Sequence, residues 1–261
     1  MASPGAGGAG RPGWVVGLIL AAFRLPWSYR DELFRLGIVP ALLSFAIEMV
    51  GTLLGNDTLP VVLLADMVPM TMFQVAVYRL LLLGPAAVTP GIKPSWGRRE
   101  FRYFGLNLLI GLAVIVIVLV MLLLVGDTSV ANGPIILVVL GVALLASYAY
   151  SRVTVAFPAV AVDHPLRLSE AARCTAPVGG RLWLALILTL IPVVILLVVI
   201  SKFLEVSGLA GAAPLATAFI LVVLGYAAST IMLVPIALAF RELCGWSGPP
   251  SPAWNGSGPG R

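Results

Sequence analysis

Among the stretches of this sequence that run for 20 residues or more without a charged side chain are two at positions 103–126 and 182–201. A helix needs about 20 largely apolar residues to cross the hydrocarbon core of a bilayer, whereas a membrane strand needs only about 10. Inside lipid, every backbone amide must find a partner within the protein, and an α-helix meets that condition by itself. The two stretches therefore predict membrane-spanning helices.

The composition of the whole chain extends this conclusion beyond the two stretches. Of the 261 residues, 60% are hydrophobic and only 10% are charged. A typical soluble domain has about 25% charged residues, which help to cover its surface. The chain is therefore too apolar for an ordinary soluble enzyme, a disordered protein or a fibrous repeat.

Four further apolar stretches, interrupted by isolated charges or prolines, complete a set of six predicted spans. We predict an all-α polytopic membrane protein with one domain from 14 to 243. Positions 14–23 form a shorter apolar run, which we expect to lie in the membrane interface as a helix. The Gly-, Pro- and Ser-rich ends, 1–13 and 244–261, are expected to be disordered. The six spans cover 36–54, 61–83, 103–126, 134–157, 182–201 and 212–240.

Lysine and arginine are distributed very unevenly between the two ends of these spans. Thirteen cations fall on the side that carries both termini, and Lys202 alone falls on the other, with Arg79 and Arg152 left out because they lie within spans. The positive-inside rule then predicts that both termini face the cytoplasm. Cations beside apolar segments favour contact with anionic lipid headgroups and do not indicate nucleic acid binding. An unidentified protein partner remains possible at this stage.

The cytoplasmic ends of the even-numbered spans share a proline signature. Pro85, Pro158 and Pro235 are 73 and 77 residues apart, and an arginine precedes the first two by six residues, at Arg79 and Arg152. A repeat of this period predicts three helical hairpins. A proline within a helix frees a carbonyl one turn earlier, so these sites should face protein. The arginines have three readings that stay open: interface markers, headgroup or ligand binders, and clamps between helices.

The connection between the fourth and fifth spans resembles a known family. Arg152 and Pro158 are followed by Asp163, then by Leu-Ser-Glu-Ala-Ala-Arg173-Cys and Gly-Gly-Arg181-Leu-Trp. This pattern resembles the six-helix membrane domain associated with bacterial glycerophosphodiester phosphodiesterases and related uncharacterised bacterial inner-membrane proteins. The match covers 152–183, with a cysteine where the family usually has serine. The catalytic barrel is absent, so the resemblance implies an inner-membrane module without hydrolysis and supplies no catalytic residue.

Two acids inside the predicted spans, Glu48 and Asp66, are the strongest functional candidates. Glu48 stands six residues before the outer end of its span and Asp66 six residues after Pro60, about 9 Å by helix rise. A charge at that depth costs roughly 2.5–3.5 kcal/mol unless it is paired, neutralised or hydrated, so we expect both side chains to face the bundle interior. A shared proton would suit proton coupling or cation binding. The alternative is that both are protonated, or cap polar groups near the outer interface.

The remaining polar residues do not form a recognisable catalytic, cofactor or metal site. The single histidine, His164, cannot build a histidine metal site, and zinc, phosphate-loop and nucleophile motifs are missing. Gln74 and Asn107, inside spans, are expected to form hydrogen bonds between helices. We therefore expect a non-enzymatic anchor, scaffold or lipid-interacting module without a cofactor. The alternative is a small secondary transporter or channel that uses the two intramembrane acids.

The two cysteines, Cys174 and Cys244, are too few for a disulfide scaffold. Both fall on the side predicted to face the cytoplasm, where thiols stay reduced. We expect them to be structural or incidental.

Overall fold

The computed structural model describes residues 13–55, 59–88, 96–125 and 133–246, and these residues form helices without any strand. Six segments are long and apolar enough to cross a membrane, which confirms the predicted six-helix, all-α architecture. By length and composition the chain is a multi-pass membrane protein. The six segments are Arg30–Leu54, Leu59–Leu83, Arg98–Ile117, Leu137–Ala161, Ala176–Val206 and Pro214–Leu243.

Each of the six long helices extends past its predicted span at one end or both, because a helix can continue beyond the hydrocarbon into its polar flanks. The fourth, however, ends at Val153, four residues before its predicted end at 157. The long helices are α2 (Arg30–Leu54), α3 (Leu59–Leu83), α4 (Arg98–Val125), α5 (Gly133–Val153), α8 (Gly179–Val206) and α10 (Pro214–Leu243). Shorter helices are α1 (Trp14–Ser28), α6 (Ala156–Ala161), α7 (Leu168–Cys174) and α9 (Leu209–Ala212), with 3₁₀ turns at Pro85–Ala87 and Ala176–Val178.

The N-terminal helix α1 is longer than its apolar run because protein contacts support it. It continues through Pro26 to Ser28 and packs against α8 and α10, with Leu18 and Ala22 buried. Its 15 residues extend about 22 Å, too short to span a bilayer. The indole of Trp14 donates a hydrogen bond to Glu242 at the C-terminal end of α10. The placement of α1 in a membrane interface stays a prediction.

The three repeat prolines occupy three different settings. Pro85 follows Gly84, where α3 has ended, and opens a 3₁₀ turn. Pro158 lies in α6, just after a break in which the Phe157 amide donates to the Thr154 carbonyl at 3.1 Å. Among these prolines, Pro235 alone lies inside a long helix, where it is buried. The repeat is therefore preserved in sequence position while the backbone around each proline differs.

Burial is concentrated at one end of the bundle, which also carries Arg79, Arg99 and Arg152 and is called the basic end below. The last turns of α3, the short α6 and the C-terminal half of α10 supply most of the buried side chains. Along α4, α5 and the second half of α8, leucine and valine side chains are largely exposed. An all-round apolar helix surface of this kind suits contact with lipid.

The helical hairpins are packed to different degrees. α2 and α3 lie against each other closely, and a Cβ added at Gly51 would come within 2.7 Å of Val62 Cγ2. α8 and α10 also pack together, whereas α4 and α5 make few contacts with each other. In the described residues, the α4–α5 hairpin is therefore the least closely packed of the three.

The chain remains ordered beyond the predicted start of the C-terminal tail. Trp246 packs on Phe240 and on His164, with ring centres 5.8 Å and 5.6 Å away. The prediction of disorder was therefore wrong for 244–246, because an aromatic side chain anchors this segment. Positions 1–12 and 247–261, for which disorder was also predicted, lie outside the described residues.

Candidate functional site

The structure brings Glu48 and Asp66 near each other, as the hairpin geometry predicted. The two carboxylates are close enough to repel one another, and Tyr226 of α10 lies near both. Tyr226 Oη is 2.8 Å from Ser44 Oγ on the face of α2 that leads to Glu48. One carboxylate oxygen of Asp66 is buried without a hydrogen-bond partner. The acids therefore sit beside a polar contact between α2 and α10.

The expectation that both acids face the bundle interior was wrong for Glu48. Its side chain is exposed, whereas Asp66 is half-buried. Glu48 stands one turn after the buried Ser44, on the same face of α2, but the bundle is loosely packed at this level. The neighbouring residues Val61 and Leu63 of α3 are themselves 68% and 60% exposed, so no layer covers the carboxylate.

Arg152 joins α5 to the segment that follows it. Its guanidinium donates to Thr175 Oγ1 at 3.1 Å, to Tyr148 Oη at 3.3 Å and to the Ala172 carbonyl. The fully buried Thr175 hydroxyl donates to the Arg152 carbonyl at 3.0 Å. Of the three readings left open by the sequence, these contacts favour a clamp between helices. Charge-assisted hydrogen bonds of this kind are about twice as strong as neutral ones.

Arg79 makes a more local contact at the basic end. Its Nη2 donates to the Ala87 carbonyl at 3.1 Å and so holds the turn that begins at Pro85. Arg99 and Asp163 form an ion pair nearby, and Asp163 adopts a left-handed backbone conformation with φ of 56°. This ion pair links the start of α4 to the loop after α6.

The other loop residues singled out by the sequence lie around α7. Arg173 and Arg181 are both exposed at the basic end, on α7 and at the start of α8. Glu170 closes a capping box at the N-terminus of α7, where its carboxylate accepts from the Arg167 amide at 2.7 Å. The two exposed arginines therefore place positive charge on either side of the turn that joins α7 to α8.

The structure pairs the two cysteines, contrary to expectation. Cys174 at the end of α7 and Cys244 after α10 form a disulfide with a Cα–Cα distance of 5.4 Å. The sequence argument failed because the two residues are 70 positions apart, and only the fold brings α7 against the C-terminus. The disulfide ties the end of α7 to the segment just after the last spanning helix.

A cavity of about 230 Å³ lies inside the bundle among α3, α4, α5, α6, α8 and α10. Its wall is mostly apolar but carries hydroxyl, amide and indole side chains, and it is called the polar cavity below. Hydrogen bonds fix part of its wall: Tyr103 Oη donates to Gln74 Oε1 at 3.0 Å, and Gln74 Nε2 donates to Ser229 Oγ at 3.3 Å. On the opposite side, the Trp183 indole donates to Ser147 Oγ at 2.9 Å. The prediction that Gln74 joins helices is confirmed.

Sequence reasoning missed this cavity, although the proline repeat contains a signal for it. Gln74 and Ser147 both precede their repeat proline by eleven residues, and Tyr78 and Ser151 precede it by seven. All four line the cavity. Ser229, which also lines it, occupies the position where the first two repeats have arginine. Equivalent positions of the repeats therefore converge on one polar interior.

A second, larger cavity is an apolar groove at the junction of α1, α2 and α10. It encloses about 370 Å³ and is bordered by Phe23, Trp27, Phe34 and Ile231 among others. Arg30 also borders it, with its guanidinium carbon 5.4 Å from the centre of the Trp27 ring, within the range of a cation–π contact. The groove thus combines an apolar floor with a cation at its rim.

Comparisons with models of protein families, with curated proteins and with solved structures give no match. Among the described residues, no three His, Cys, Asp or Glu side chains are placed to hold a metal ion. The candidate sites therefore rest on the geometry of this chain itself.

Proposed function

We propose that this protein is a non-enzymatic, lipid-binding module of a bacterial inner membrane, with both termini in the cytoplasm and no cofactor. The apolar groove beside Arg30 carries this proposal. Its walls suit an acyl chain, and the guanidinium at its rim suits the phosphate of an anionic phospholipid. The resemblance of 152–183 to the membrane domain associated with glycerophosphodiester phosphodiesterases supports the same class of function.

The neighbourhood of the groove favours an anionic lipid over a zwitterionic one. Trp27 and Phe34 are 73% and 69% exposed, which suits aromatic side chains at the level of lipid headgroups. Arg30 also approaches Asp31 at 3.7 Å, but both side chains are mostly exposed, and such pairs contribute little. The guanidinium therefore remains available to a phosphate.

The alternative of a transporter or channel that uses Glu48 and Asp66 has less support. Neither acid lines the polar cavity or the apolar groove.

Native mass spectrometry in detergent tests the proposal by titration with dioleoyl phosphatidylglycerol and dioleoyl phosphatidylcholine, which share the same chains. We expect wild type to retain the anionic lipid preferentially. Arg30→Gln should weaken that binding about fivefold, because one basic residue near a membrane surface contributes about 1 kcal/mol. The control is Lys202→Gln, which removes one positive charge near the C-terminal end of α8, away from the basic end. It should leave the preference for the anionic lipid intact. If Arg30→Gln and Lys202→Gln retained the anionic lipid equally well, the groove would not be the lipid site.

A further inference from the structure

We propose that the central polar cavity binds the uncharged, hydroxyl-bearing headgroup of a lipid that enters between α4 and α5. This site is separate from the groove at Arg30, and either can fail without the other. The cavity is walled by Gln74 and Tyr78 of α3, Tyr103 and Asn107 of α4, and side chains of α5, α8 and α10.

An unpaired hydroxyl is the first observation that points to a ligand. Tyr78 is completely buried and lines the cavity, and its Oη makes no hydrogen bond of normal geometry, although the Tyr103 hydroxyl lies close enough to interact with it. A buried polar group without a partner costs about 1–3 kcal/mol, so native structures rarely leave one unsatisfied. Tyr150 of α5 lies close enough to interact with both Tyr78 and Tyr103. Three phenol hydroxyls from three helices are therefore grouped around one space.

The chemistry of the wall determines the class of headgroup. Among the described residues, no charged side chain borders the cavity, and its polar groups are hydroxyls, amides and an indole. Burying an unpaired charge in such a site would be far more costly than burying a hydroxyl, which can both donate and accept. The wall therefore fits a neutral headgroup with more than one hydroxyl and disfavours a phosphate or an ammonium.

The position of the cavity determines how the ligand arrives. Tyr150 lines it and is 42% exposed, and Asn107 lines it from the facing helix while remaining half-buried. Both lie within spanning segments, where α4 and α5 make few contacts with each other. The opening consequently faces lipid rather than water. Tyr150 is only two residues from Arg152, which places the opening near the basic end, at the level of one leaflet's headgroups.

Photo-crosslinking in nanodiscs with a monoacylglycerol that carries a diazirine beside its ester tests this site. The control probe is the methyl ester of the same diazirine acid, which lacks both hydroxyls. We expect the monoacylglycerol to label peptides around Asn107 and Tyr150 at least severalfold more than the methyl ester does. Tyr78→Phe should reduce that labelling severalfold. Tyr226→Phe, the same change at a buried tyrosine outside the cavity, should leave it unchanged.

A thermal-stability measurement separates a ligand contact from a structural role. Because the Tyr78 hydroxyl is unpaired, Tyr78→Phe should leave the midpoint of ligand-free protein unchanged or raise it. Added monoacylglycerol should then stabilise wild type but not the variant. Equal labelling by the two probes, or a lowered midpoint in the ligand-free variant, would overturn the proposal. A Gln74→Leu variant, which breaks the Tyr103–Gln74–Ser229 network, should also lose the labelling; full retention would overturn it as well.

Discussion

Arg152 illustrates how a single cation can organise the basic end. Its three donors reach a hydroxyl, a phenol and a backbone carbonyl, so one side chain fixes the path between α5 and α8. This arrangement requires a residue without a side chain at the start of α8. A Cβ at Gly179 would lie 2.7 Å from Arg152 Cδ and 3.1 Å from Tyr148 Oη.

Gly179→Ala should therefore destabilise the protein. Because the added methyl displaces a hydrogen-bonded arginine, we expect a loss of about 1–3 kcal/mol, the usual cost of overpacking. The thermal midpoint in detergent measures the effect. Gly180→Ala is the matched control, since nothing lies within 4 Å of its added Cβ. In a helix that change should be neutral or stabilising by up to about 1 kcal/mol. Equal midpoints for the two variants would show that Arg152 does not act as a clamp.

At the level of elements, the α2–α3 hairpin is the best packed of the pairs. Gly51 permits this approach, because Val62 Cγ2 occupies the space that a side chain would need. Glu48 lies three residues before Gly51, and Asp66 lies four residues after Val62, so both acids are close in sequence to this contact. The hairpin packing thus determines how near the two acids come.

Gly51→Ala should weaken the hairpin, and Val62→Ala should rescue it. The added methyl would meet both Val62 Cγ atoms, at 2.7 Å and 3.0 Å, whereas Val62 Cβ lies at an ordinary 3.4 Å. A double-mutant cycle on thermal stability should give a coupling of about 0.5–3 kcal/mol, as is typical of contacting residues. Gly111→Ala, with nothing within 4 Å, is the control for the glycine change itself. Additive effects of the two substitutions would contradict this packing.

The sequence predicted those elements whose existence depends on hydropathy alone. All six spans follow from apolar runs, because every segment that crosses lipid must be largely apolar and must pair its own backbone amides. The break after Thr154, the full length of α1 and the order at Trp246 could not be predicted, since each depends on contacts with distant helices. The polar cavity was missed for the same reason: its wall comes from helices that are remote in sequence.

At the scale of the whole molecule, the dense packing and the positive charge lie at the same end of the bundle. The dense core, the arginine contacts and the Cys174–Cys244 disulfide all lie at the basic end, while the side chains at the opposite end are mostly exposed apart from the close Gly51–Val62 contact. The disulfide conflicts with the predicted orientation, however. If the basic end faces the cytoplasm, the thiol pool there keeps Cys174 and Cys244 reduced. If it faces outwards, the disulfide can persist.

Labelling of single cysteines in intact spheroplasts decides the orientation. In a Cys174→Ser/Cys244→Ser background, we compare Lys202→Cys with Ser169→Cys; both positions are exposed and lie at opposite ends of the bundle. The excess of thirteen cations over one predicts that a membrane-impermeant maleimide labels Lys202→Cys directly. Ser169→Cys should react only after permeabilisation. The reverse pattern would place the basic end outside, permit a persistent disulfide, and move both proposed lipid sites to the outer leaflet.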